Sequence, residues 1–195
     1  MKEMEKAAAG LLYDANYDAE VLRQREEAKA KLFDYNHTHP RDGAGRTALL
    51  RSLLGKTGEN FLFEPPFYCD YGFNIEVGEN FYANMNLVIL DGAKVTIGDN
   101  AFIAPNVGLY TAGHPLDAGR RNQGLEYAFP ITIGNNVWIG AAVSVMPGVT
   151  IGDGCVIAAG SVVTKDLPPN VLAAGNPCRV MREITEADKL KYREA

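Results

Sequence analysis

Between residues 131 and 166 the chain repeats itself every six residues, as ITIGNN VWIGAA VSVMPG VTIGDG CVIAAG SVVTKD. The third position of each six is Ile133, Ile139, Val145, Ile151, Ile157 and Val163, a branched aliphatic without exception. The residue after it is small or unbranched: Gly134, Gly140, Met146, Gly152, Ala158 and Thr164. The first position is small or aliphatic throughout. A helix repeats every 3.6 residues and a half-buried strand every two, so a period of six fits neither alone. It fits a solenoid in which each six is one short strand plus a corner, and three sixes close a triangular coil. The aliphatic points into the prism, where stacked copies bury one another. The small residue after it is expected at the bend, where a Cβ would crowd the next coil or force an unfavourable φ/ψ. The expected fold is mainly β: a left-handed parallel β-helix of hexapeptide repeats.

Composition narrows the function. The 195 residues suggest one domain, or one domain with a small appendage. A net charge of −5 argues against nucleic acid as the main partner, because phosphate binding needs a basic face. Cys69, Cys155 and Cys178 are odd in number and widely spaced, which is no disulfide framework and points to a reducing, cytoplasmic setting. The opening MKEMEKAAAG has no apolar core of a signal peptide. Residues 127–152 carry no charge and are long enough to span a bilayer, yet their Gly, Pro and Asn residues recur in step with the six-residue period. Corners explain that pattern and a membrane helix does not.

Three segments follow in order. Residues 1–58 read as a helical cap: Met4, Ala7, Ala8, Leu11 and Leu12 fall at helical spacing, an amphipathic helix covers 18–35, and TALLRSLL gives a third over 47–54. His37 and His39 form an H-x-H pair without a third ligand at suitable spacing, and Pro40 marks a loop, so a structural turn is expected there. Residues 59–180 form the β-helix. Its period starts at Val77-Gly78, runs through Ala83, Ile89 and Val95, and restarts two residues on at Ile97, Ile103 and Leu109. A shift of two means one lengthened corner. The period then fails over an inserted polar, Gly-rich loop at about 112–130, and an excursion of that length in a regular solenoid is usually functional. Residues 181–195 are expected as a charged C-terminal helix capping the open end.

His114 is the one histidine of the solenoid and stands where the loop leaves the coil, which suits either a general base or a loop cap. Asn84 offers an amide for a hydroxyl or an oxyanion, although asparagines at such corners also form structural ladders. Asp70 and Asp91 are candidates for sugar hydroxyls or plain surface carboxylates. Ser144 and Ser161 fill repeat positions that small residues occupy anyway, and no G-x-S-x-G elbow surrounds them. Cys155 occupies a core repeat position. Tyr13, Tyr17, Tyr71 and Tyr82 serve either as a sugar-stacking platform or as packing.

The combination of TAGHP (111–115), the 129–170 repeat array and AAGNPCRV (173–180) closely resembles the maltose, galactoside and nodulation-factor O-acetyltransferases of the hexapeptide-repeat superfamily. AGLLYDANYDAEVLRQR (9–25) and YNHTHP (35–40) resemble that family's helical cap, so the resemblance covers essentially the whole chain. It implies a homotrimer with acetyl-CoA in the groove between neighbouring prisms, a small-molecule sugar acceptor and no metal. It implies that His114 is the catalytic histidine and that Asn84 binds acceptor and stabilises the transition state. Asn16 and Asp70 fall where family members contact acceptor. The family's acceptor aspartate matches Gly92 here, with Asp91 just before it, and Asn16 replaces an acid. Ala141, Ala159, Thr164 and Lys165 match the pantetheine channel, with Ala141 at a position often serine. Arg179 and Arg182 match a basic pair near the CoA phosphates.

The expected reaction is direct acetyl transfer to a sugar hydroxyl with His114 as general base. Three other readings stay open on the sequence. The acceptor could be an amine or an amino-sugar nucleotide. A zinc hydratase on the same fold needs three coil histidines where this chain has one. A non-catalytic β-helix scaffold has no need of a His-bearing loop or a terminal arginine pair.

Overall fold

The computed structural model describes residues 1–191. Its helices form where polar caps can close them. Helix α1 spans Glu3–Ala8, α2 spans Ala19–His37 and α3 spans Gly43–Leu53. The Asp18 carboxylate accepts the backbone N–H groups of Glu20 and Val21 and so starts α2, satisfying donors that a helix end leaves open. Asp42 does the same for Gly45, and α3 therefore begins four residues before the apolar run that signals it in the sequence. Helix α2 also outruns its apolar pattern and stops only after His37, ahead of Pro40. His37 donates through Nδ1 to the Phe33 carbonyl at 2.7 Å and stacks on the Phe33 ring, and His39 Nδ1 accepts from the Arg41 amide. Both histidines serve the turn. No group of three or more potential metal ligands exists among the described residues.

The solenoid has three parallel sheets. The first stacks Ile75–Val77, Val95–Ile97, Ile131–Ile133 and Thr150–Ile151. The second stacks Phe61–Phe63, Phe81–Ala83, Phe102–Ile103, Trp138–Ile139, Val156–Ile157 and Val171–Gly175. The third stacks Phe67–Cys69, Leu87–Leu90, Gly108–Tyr110, Ser144–Val145 and Val162–Val163. Every third-position aliphatic from Ile97 to Val163 is at most 2% exposed. The stacks also begin earlier than the period suggests: Phe63 lies under Ala83 and Cys69 under Ile89. Aromatic Phe63 and small Cys69 hide that first coil from a search for branched aliphatics. Helix α2 is tied to this coil by Asn36, whose side-chain amide both donates to and accepts from the Phe67 backbone, at 3.0 and 2.9 Å.

The small residue after each aliphatic has a different reason from one of the two anticipated. Gly140 and Gly152 do not need positive φ; a Cβ there would lie 2.7 Å from the Ala159 nitrogen and 2.6 Å from the Pro169 nitrogen of the next coil. The left-handed bend comes two residues later, at Asn100, Asn106, Asn136, Ala142, Gly148, Gly154 and Gly160. Asparagine tolerates that region, and its side chains stack into ladders such as Asn80 to Asn100 to Asn136, at 3.0 and 3.2 Å.

At the far end the chain turns back as an antiparallel hairpin, Val171–Gly175 with Cys178–Glu183, and then forms a short 3₁₀ helix, Glu186–Leu190. The expected helix from residue 181 is thus a strand over its first residues, since Val171 to Gly175 offers it an open edge to pair with. The remainder of that expectation, residues 192–195, lies outside the described residues. No helix among the described residues is long and apolar enough to cross a membrane.

Because the interior column carries the fold, Ile139→Ala is expected to cost about 2–5 kcal/mol, whereas exposed Thr132→Ala costs less than about 0.5 kcal/mol. Chemical denaturation of the two variants checks this; equal costs would contradict an interior role for the repeat aliphatics.

Candidate active site

The coil is longer than regular at one corner only, between the third and first sheets. There three irregular segments stack: residues 70–74, 91–94 and 111–130. Asp91, expected among the acceptor contacts, is completely buried at this corner and is corrected to a structural role. Its Oδ1 accepts the Asp70 and Tyr71 amides at 3.0 and 2.9 Å, and its Oδ2 accepts the Gly72 amide at 2.7 Å. Those three bonds fix the turn that presents Asp70. Burial pushes the Asp91 carboxyl up to about 6, against the pull of the amides. One coil on, Thr111 Oγ1 accepts from the Ala93 amide and donates to the Leu90 carbonyl.

The excursion is a built element rather than a loop. Ala112–Gly113 pairs antiparallel with Leu125–Ala128, which pairs in turn with Tyr13–Asp14 beside the cap, and a short helix α4, Ala118–Asn122, closes the tip. His114 follows the first of these strands. A carbonyl can only accept, so the 3.2 Å contact from Nδ1 to the Leu125 carbonyl requires a proton on Nδ1, and in the neutral ring Nε2 then carries the lone pair. Glu126 Oε1 lies 3.8 Å from Nε2, and Glu126 Oε2 accepts from the Tyr13 hydroxyl at 3.1 Å. The side chain of His114 is 48% exposed and that of Glu126 15%.

Asp70 sits across this corner, beside a depression of about 500 Å³ between α2 and the third sheet. Burial pushes its carboxyl up, while Arg25, 3.7 Å away through Nε, pulls it back and Glu126 adds to the rise. Arg25 donates through Nη2 to the Tyr71 hydroxyl, and its Nε has no hydrogen-bond partner. Tyr13 and Tyr71 are 1% and 3% exposed, so neither can be a stacking platform. Tyr17 remains exposed. Asn16 donates to the Gly124 carbonyl at 2.9 Å and pins the tip of the excursion to the cap.

The other named residues fall into two further places. Thr164 and Lys165 are exposed at the same corner as His114. Asn84, Ala141 and Ala159 line the corner between the second and third sheets, where Asn84 Oδ1 accepts the Met85 amide. The third sheet separates the two corners; its strand Leu87–Leu90 alone spans about 13 Å at about 3.3 Å per residue. One chain therefore does not bring His114 and Asn84 together. Arg179 and Arg182 lie on the terminal hairpin, and Arg182 already holds Asp188 through two bonds of 2.8 and 2.7 Å. Sequence reasoning missed Arg25 and Glu126: nothing in their local spacing marks them, because both reach the site only through long-range packing.

A prism of stacked six-residue coils, capped by helices and carrying a histidine on a corner excursion, is the architecture of the hexapeptide-repeat acyltransferases. Comparisons specify it further. Residues 6–58 match the maltose acetyltransferase hexapeptide capping motif, and residues 130–165 match the six-repeat bacterial transferase hexapeptide family. The protein YJL218W of Saccharomyces cerevisiae is 63% identical over 96% of both chains, and the galactoside O-acetyltransferase of Escherichia coli K12 is 51% identical over 98% of this chain and 94% of its own. A galactoside acetyltransferase solved in complex with coenzyme A superposes with a TM-score of 0.95 at 50% identity, over all of this chain and 96% of that one. A maltose O-acetyltransferase from Clostridium difficile gives 0.93 at 50% identity, over 95% and 99%. The chain belongs to the maltose and galactoside O-acetyltransferase family of the hexapeptide-repeat superfamily.

The buried Asp91 carboxyl yields a pH prediction. A carboxyl raised in the fold from 3.8 to about 6 contributes stability that is full below about 4 and lost as pH rises through 6. The stability cost of Asp91→Asn is therefore expected to shrink by about 2 kcal/mol between pH 4 and pH 7. Denaturant titrations of both proteins across that range check it, and a cost independent of pH would contradict it.

Proposed function

We propose that this protein moves an acetyl group from acetyl-CoA to a hydroxyl of a sugar of the maltose, glucose or galactoside type, with His114 as general base. The observation that carries this reading is the Nδ1 contact of His114 to the Leu125 carbonyl, which leaves Nε2 free to accept a proton. The relatives named for galactoside and maltose acetylation, one of them solved with coenzyme A, support the donor and the acceptor class.

In the proposed step the acceptor hydroxyl gives its proton to His114 Nε2 while its oxygen lone pair forms a C–O bond at the thioester carbonyl. The tetrahedral oxyanion is held by backbone N–H groups or the Asn84 amide. Its collapse breaks the C–S bond, the electron pair leaves with the CoA sulfur, and the imidazolium returns the proton to that thiolate. No acyl-enzyme and no metal take part. Asp70 and Asn16 are the polar contacts for acceptor hydroxyls. The unpartnered Arg25 Nε beside Asp70 suits the same task.

For the donor, Ala141 and Ala159 leave room for the pantetheine arm along their corner, and Thr164 and Lys165 line the facing side. Arg179 and Arg182 receive the CoA phosphates, Arg182 by exchanging its Asp188 partner. Because His114 and Asn84 stand at different corners, the complete site is proposed to lie between copies of the chain in a cytoplasmic homotrimer. The exposed column of Leu62, Phe102 and Trp138 on the outer face of the second sheet supports an assembled state, whereas the first sheet shows Thr96, Thr132 and Thr150 outward.

Thiol release from acetyl-CoA, measured with maltose, glucose, galactosides, chitooligosaccharides, amines and serine, tests the reading. Sugar-dependent release is expected, with His114→Ala lower in kcat by about 10²–10⁴-fold. Full turnover in that variant, or release with amines alone, would overturn it. Light scattering should give a mass three times the 21.2 kDa of one chain; a monomer would contradict a site shared between copies.

A further inference from the structure

The excursion carries a second titratable group that the proposed reaction leaves unused. Glu126 directly follows the residue whose carbonyl holds His114 Nδ1, and its carboxylate lies 3.8 Å from the other ring nitrogen. Among the described residues its one ion pair is with His114. Its second oxygen takes a hydrogen bond from Tyr13, a buried phenol whose pKa burial drives up further from neutrality, so that the hydroxyl stays a donor. Tyr13 can occupy that place because residue 92 has no side chain: a Cβ on Gly92 would meet the Tyr13 hydroxyl at 2.8 Å and the Ala128 Cβ at 3.3 Å. Lys165 is exposed on the adjoining turn of the same corner, and the other groups on the excursion and its neighbours are engaged elsewhere. Asp70 faces Arg25, Asp117 caps α4 through the Arg120 amide, and Arg121 donates to the Pro115 and Leu116 carbonyls. Tyr71 accepts from Arg25, Asp14 accepts the Asn16 and Tyr17 amides, and Tyr127 packs over Gly113 and Phe129.

We propose that Glu126, held by Tyr13 above the gap at Gly92, is a positioning residue that stabilises the imidazolium of His114. The inference rests on His114 being the base. A carboxylate that is largely withdrawn from water and unpaired while the imidazole is neutral gains a partner at the moment His114 takes the acceptor proton. At partial burial such a pair is worth more than the same pair in water. The charge appears on Nε2 and the carboxylate is already in place, so little has to reorganise. The Nδ1 bond to Leu125 fixes the ring plane, and the paired strands fix both residues to one rigid unit. When the proton passes on to the CoA thiolate, the pair is undone and Glu126 returns to its Tyr13 bond alone.

The sign of the effect follows. An opposite charge near a base favours the protonated form and raises its titration midpoint, so removing that charge lowers it. The test is an NMR titration of His114 in the intact assembly, whose signal is assigned against His37 and His39 by its loss in His114→Ala. Glu126→Gln is expected to lower the midpoint measurably, and Glu126→Asp to recover part of the shift. In turnover, the acidic limb of the kcat/KM profile moves down with it, kcat at the plateau falls, and KM for acetyl-CoA is unchanged. An unmoved midpoint in a folded Glu126→Gln protein overturns the proposal. If that variant does not fold, a wild-type midpoint in Glu126→Asp does so. Absence of turnover in the wild type with every acceptor would overturn the proposed function instead, and the titration would still decide the coupling.

Discussion

The prism closes only if every coil returns its aliphatic side chains to the interior at the same level as the coil below. A residue added within a strand would turn that side chain outward and open a gap in a column where each member is buried by its neighbours. Extra residues are therefore confined to corners. The described chain adds them at one corner, three coils running, and His114, Glu126 and Asp70 all stand there. Chemistry is placed by what the core forbids elsewhere.

The same constraint makes the corner rigid. Its first added turn is gripped by the Asp91 carboxylate through three amides, its second by Thr111, and its third is paired on both sides as a small antiparallel sheet with the cap. The cap is in turn anchored to the first coil by Asn36. The imidazole thus rests on backbone that cannot drift far, which is the condition under which alignment contributes to rate. Besides the buried Asp91, the cluster carries two acidic groups, Asp70 and Glu126, against Arg25 and a histidine that is charged only when protonated. Its balance shifts during a proton transfer rather than before it.

Much of this was legible in the residues. Period six over 131–166 defined the interior column, and the break after Leu109 marked where the prism opens. The first coil was not legible, since Phe63 and Cys69 are poor matches to a branched-aliphatic search although they fill the same interior space. The start of α3 was hidden by Gly43 and Gly45, which read as loop until the Asp42 cap is seen. At the site, His114 and Asp70 could be found from local motifs. The inward turn of Asp91 could not, because it depends on backbone amides twenty residues away that only the stacking brings within reach. Glu126 and Arg25 were silent for the same reason.

The proposed catalytic centre is built from two corners on two copies of the chain. Mixed assembly decides this: His114→Ala and Asn84→Ala proteins, each nearly inactive alone, are unfolded together and refolded. A site shared between neighbours predicts that random trimers regain activity at about a quarter of their sites, where an intact histidine corner meets an intact asparagine corner. A site contained within one chain predicts no recovery, and a mixture that stays as inactive as its parents, although trimeric, would rule out a shared site.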